Sequence, residues 1–116
     1  MHEPRKPWTP QSRRALREIL EHPSHERAVQ LAGSRNTAVR TALASARETP
    51  IGVLIHLSTD PESVVRAAVA AHAAVAVSVA TMRRLARDAD PHVRAALEAN
   101  AAVPSALRAA EETVAA

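Results

Sequence analysis

No cysteine occurs in the chain. Disulfides, thiolate metal sites, iron–sulfur ligation and thiol catalysis are therefore all excluded. Aromatic residues are almost as scarce, since Trp8 stands alone. That counts against single-stranded nucleic-acid binding, which relies on aromatic platforms for bases. Glycine is limited to Gly33 and Gly52, so no Gly-rich phosphate loop can be built. No apolar run approaches a membrane span; the longest, residues 67–82, is interrupted by His72 and Ser78. Residues 1–10 are polar and proline-rich and do not read as a secretory signal. Hairpin dipeptides are missing, and β-branched residues are scattered among alanines, so strands find no support. A cytoplasmic protein without membrane contact or cofactor is the expectation.

What is present is alanine, valine and leucine, punctuated by eight prolines. Alanine favours helix and lets helices approach closely. Four pairs look like helix starts, with a capping side chain followed by proline: Thr9–Pro10, Thr49–Pro50, Asp60–Pro61 and Asp90–Pro91. Ser24 and Asn36 read as further caps, and Pro104 opens a last helix. Apolar spacing then gives each segment a helical face. Examples are Leu16, Ile19 and Leu20; Val39, Ala42, Leu43 and Ala46; and Val93, Ala96 and Leu97. Ile51, Leu54 and Ile55 predict a short helix buried on most sides. Val79, Met82, Leu85 and Ala86 predict another apolar face. About eight short helices result, with a break expected near residues 75–78.

A column recurs three times along this pattern. It reads Leu31, Val39, Arg40; then Leu57, Val65, Arg66; then Leu85, Val93, Arg94. The later copies carry acids at matching places, Asp60 with Glu62 and Asp88 with Asp90. Arg-to-Arg steps are 66 − 40 = 26 and 94 − 66 = 28. A period in that range marks stacked helical repeats, in which each unit covers its neighbour's apolar face. The fold expected is all-α: a right-handed superhelix, or solenoid, of about four short helical repeats. Residues 1–9 form an edge-covering or flexible segment, and residues 10–116 a single repeat domain. Its recognisable units are about 31–56, 57–84 and 85–110, with capping helices at both ends.

The third copy, Leu85-Ala-Arg-Asp-Ala-Asp-Pro-His-Val-Arg94 followed by Ala99-Asn-Ala-Ala-Val-Pro104, resembles the variant leucine-rich repeat. It is also similar to HEAT repeats, which share an Asp-then-Val-Arg signature. The resemblance implies units that pair an α-helix with a shorter, often 3₁₀, helix. Its pattern continues to an Asn and a Pro, matched by Asn100 and Pro104. In the first copy Pro50 matches, but Ala46 replaces the Asn. In the second, His72 and Ala76 replace both, so His72 is expected to bond within a turn or the core. An iron–sulfur domain accompanies such repeats in one founding family member, and this chain has no cysteine to ligate a cluster. The family implies an architecture and a general binding role.

The arginines of the column admit two readings. In the favoured one, each guanidinium reaches a carboxylate such as Asp60 or Asp88, or a helix-end carbonyl. In the other, they form a row of oxyanion binders, a task that suits Arg's planar fork equally well. The first copy lacks acids at Ser34 and Asn36, so Arg40 is expected to be the free one.

Charge is also unevenly distributed. Residues 1–47 hold nine Arg/Lys against four Glu, or +5; residues 48–116 hold six Arg against eight acids, or −2. Arg13, Arg14, Arg17, Arg35, Arg40 and Arg47 are accordingly the candidate contacts for a protein partner or duplex nucleic acid. For Arg13, Arg14 and Arg17 the favoured reading is a solvated face with Arg14–Glu18 and Arg17–Glu21 pairs, and the contact surface is the alternative.

His22 and His25 could reach one metal, but Pro23 separates them and no third ligand is evident, so no metal site is assigned. Trp8 is read as cover for an apolar edge. No catalytic set is recognisable, so the chain is expected not to be an enzyme. The expected function is a helical-repeat module binding a protein or peptide. Sequence-independent duplex DNA binding through the Arg-rich half is the alternative, and self-association is allowed.

Overall fold

The computed structural model describes residues 10, 13, 14, 17 and 24–108. Trp8, His22 and the acids Glu18 and Glu21 lie outside the described residues, as do the last eight residues of the expected C-terminal cap. The described chain is all-helical, with no strand. Its elements are α1 (His25–Ala32), α2 (Thr37–Ser45), α3 (Ile51–Leu57), α4 (Ser63–Ala71), a 3₁₀ helix (Ala73–Val77), α5 (Val79–Ala86), α6 (Pro91–Glu98) and α7 (Ser105–Arg108). No described helix is long and apolar enough to cross a membrane.

Local chemistry starts most of these helices. Ser24, Asn36, Ser78 and Asp90 each accept a backbone N–H from the first turn they precede. Two expected starts are shifted. Pro50, not Thr49, is the residue before α3, because the Thr49 hydroxyl donates instead to the Leu43 carbonyl. Asp60 does not cap α4 either: its carboxylate is occupied elsewhere, and the helix begins after Glu62.

The expected break after α4 is present, and it accounts for the uneven period. Five residues, 46–50, separate α2 from α3, whereas seven, 72–78, separate α4 from α5. The difference of two equals the difference between the 26- and 28-residue steps. The longer connection coils into the 3₁₀ helix, which drives Val75 into the core and leaves Val77 74% exposed. Among the described residues this is the one 3₁₀ segment; the other short partners are α-helical.

The helices pack in two files. In one, α4 lies between α2 and α6. In the other, α1 packs on α3, α3 on the 3₁₀ helix, that helix on α5, and α5 on α7. The core lies between the files. Leu57, Val65, Leu85 and Val93 of the column are essentially inaccessible, Val39 is buried, and Leu31 is half-buried. Two apolar expectations fail. In α3 the buried residues are Val53, Leu54 and Leu57, while Ile55 lies on the opposite side and is exposed. Val79, directly after the Ser78 cap, is 47% exposed.

Candidate functional site

Each unit turns at one edge of the two files, where α1, α3 and α5 end and α2, α4 and α6 begin. The column arginines stand here, on the fourth residue of each following helix. The valine one position earlier enters the core, and the roughly 100° turn per residue directs the arginine to the loop. All three arginines make the same inner contact. Nη1 donates to the carbonyl six residues back: Arg40 to Ser34 at 2.7 Å, Arg66 to Asp60 at 2.8 Å and Arg94 to Asp88 at 2.6 Å. The loops are shaped for this. Ser34, Asp60 and Asp88 each accept the N–H two residues on through the side chain, which tightens the turn.

The outer contact crosses to the next unit. Arg40 Nε donates to Asp60 Oδ2 at 2.8 Å and Nη2 to Oδ1 at 3.3 Å. Arg66 repeats this on Asp88, at 2.8 and 3.1 Å. Both forks are bidentate and largely buried, with side-chain exposures of 12% and 5% in the first pair and 19% and 10% in the second. Arg40 is therefore not the free arginine expected. The acid serving a given arginine lies in the following copy, so the missing acids at Ser34 and Asn36 leave Arg40's own partner intact.

Electrostatics follow the geometry. Burial works to raise the Asp88 carboxyl, but the hydrogen bonds from Arg66 and the Asp90 N–H, with the Arg66 charge, outweigh it and hold the carboxyl below its ordinary value. The same hydrogen bond raises Arg66. Asp90 is lowered chiefly by the His92 N–H that it caps.

A second ladder runs along the opposite edge, where α2, α4 and α6 end. Asn100 donates through Nδ2 to the carbonyls of Ala70 and His72, and accepts the Ala102 N–H on Oδ1. His72, in the equivalent place, accepts the Ala74 N–H on Nδ1 at 3.0 Å. Its Nε2 must then carry the proton, which it donates to Ala46 O at 2.8 Å. His72 thus bonds around its turn as Asn100 does around the next, the hydrogen-bonding role expected of it.

The remaining sequence candidates do not converge. Arg13, Arg14 and Arg17 are helical and exposed. Arg35 and Arg47 are exposed too, but they flank the nine-residue α2 at opposite ends, about 13 Å of helix apart.

A basic pair that sequence reasoning did not single out lies on the loop edge. Arg84 and Arg87, at the end of α5, line a groove of about 440 Å³ together with Ser58, Asp60, Arg66 and Asp88. Arg84 Nη2 donates to Ser58 Oγ, tying α5 back to the end of α3. A second recess, of about 340 Å³, lies between α1 and α3, with Val29, Gly52, Val53 and His56 among its walls. No three potential metal-ligating side chains gather among the described residues. No family model, curated protein or solved structure matches the chain.

Proposed function

We propose that this chain is a non-enzymatic interaction module. Its two files of helices continue as a right-handed solenoid of about four units, akin to variant leucine-rich or HEAT repeats, and its loop edge receives a protein or peptide. The observation that carries this reading is the division of labour among arginines on one edge. Arg40 and Arg66 are locked between neighbouring units and stiffen the surface, whereas Arg84 and Arg87 line an open groove on it. A preorganised edge loses little conformational freedom on binding, which favours affinity.

Duplex nucleic acid is the competing ligand, and the separation of Arg35 from Arg47 weakens it. Fluorescence anisotropy with labelled peptides and labelled duplex DNA, titrated from low to about 0.15 M salt, decides between them. Peptide binding that persists at the higher salt, while DNA binding fades, is the expected result. DNA retained at that salt with a steep salt slope would replace the peptide reading.

A further inference from the structure

We infer that the groove beside Arg84 and Arg87 is an oxyanion site for an acidic side chain of a bound peptide: Asp, Glu or phosphoserine. The inference rests on the interaction-module reading and names the chemistry of its ligand.

The charge balance supports it. Three guanidinium groups and two carboxylates line the groove, a formal +1. The two carboxylates are not open to repel a ligand. Asp88 is chelated by Arg66, and Asp60 by Arg40, which lies outside the lining. Counting Arg40 with its partner brings the local sum to +2, concentrated on Arg84 and Arg87.

Donor accounting points the same way. Ser58 Oγ donates to Ile55 O, and Thr59 Oγ1 donates to His56 O, so these hydroxyl protons are committed. Arg84 spends one N–H on Ser58 and is held in place by it. The Arg87 guanidinium has no ion-pair partner among the described residues. Two planar forks with open donors, one of them anchored, suit a carboxylate or phosphate oxygen.

The negative end of α5 does not oppose such a ligand strongly. Two of its last-turn carbonyls are already satisfied, with Arg84 O and Leu85 O accepting the Arg87 N–H and Leu85 O also accepting the Asp88 N–H. The positive N-termini of α4 and α6 open on the same edge.

The test is anisotropy of three short fluorescein-labelled peptides at physiological salt: one Asp/Glu-rich, one carrying phosphoserine, and one neutral. Each is titrated with the full chain, with Arg87→Ala, with Arg84→Ala/Arg87→Ala, and with Arg47→Ala as a basic control away from the groove. Circular dichroism melts establish that each variant folds. Arg87→Ala is the primary variant, because no described contact depends on its guanidinium. The expectation is preference for the acidic or phosphorylated peptide, weakened about tenfold or more by Arg87→Ala and unaffected by Arg47→Ala. The ratio between the two charged peptides distinguishes carboxylate from phosphate. Acidic-peptide binding indifferent to Arg87→Ala and to the double variant overturns the groove assignment and leaves the module reading standing. Absence of binding to every peptide overturns both.

Discussion

Asp60 serves two arginines at once. Its carboxylate holds Arg40 of the unit before, and its carbonyl receives Arg66 of its own unit. Asp88 repeats the arrangement with Arg66 and Arg94. Asp88 also carries a pH prediction. Its carboxyl lies below the ordinary 3.8, so its stabilisation is complete above that value and is lost as pH falls through the lower, folded value. In urea unfolding at neutral pH, Asp88→Asn should cost about 1.5–3 kcal/mol. That gap should narrow as pH falls below 3.8, and parallel curves for variant and wild type would show that the ionised carboxylate contributes nothing. At position 72 the imidazole reproduces an amide. His72→Asn should stay within about 0.5 kcal/mol of wild type, whereas His72→Ala should lose about 1–2 kcal/mol, read from the same melts. The legible part at this scale was the column and the His72 substitution, because repetition exposes both. What could not be read was direction. Nothing in one copy says that its arginine reaches forward, so Arg40 looked free. Arg84 and Arg87 were not legible because charge summed over half a chain hides a local pair, and because Ser58 meets Arg84 only through folding.

Among the elements, the helices with strong punctuation were readable and those without it were not. Asn36 and Asp90 begin helices where expected, since an N-cap acts within three residues of chain. Thr49 and Asp60 misled because each uses its side-chain oxygens elsewhere, Thr49 on the Leu43 carbonyl and Asp60 on Arg40. The 3₁₀ helix left its trace in the two extra residues that suggested a break, but its bounds were not legible, as Ala-Ala-Val-Ala-Val has no capping or breaking residue. Its packing is sharply sided, and that is measurable. Val75→Ala should cost about 1–3 kcal/mol, and Val77→Ala, two residues away, less than about 0.5 kcal/mol. Equal losses at both would mean the segment is not seated as described. Leu57, at the end of α3, is inaccessible, and Leu57→Ala should cost about 2–5 kcal/mol in the same assay.

At the scale of the whole molecule, the arginine rungs couple units that are far apart in sequence. Arg40 and Arg66 share Asp60, so removing both should not be additive. A double-mutant cycle with Arg40→Ala and Arg66→Ala should give an interaction of about 0.5–3 kcal/mol, and a sum of independent losses would show that the rungs act separately. The all-helical character was legible from capping and apolar spacing, but the loop-edge groove was not, because it forms between residues 58–61 and 84–89 only after the ends of α3 and α5 are brought together. The rungs also have a polarity in time. In both pairs the arginine precedes its carboxylate along the chain, by 20 residues in the first and 22 in the second. On a ribosome adding about 5–20 residues per second, the Arg40 guanidinium emerges about 1–4 s before Asp60 emerges to receive it. Each nascent segment therefore waits, incompletely fastened, for the next one to emerge, and a pause while Arg40 or Arg66 has emerged and its aspartate has not would hold the chain at its most vulnerable to proteases.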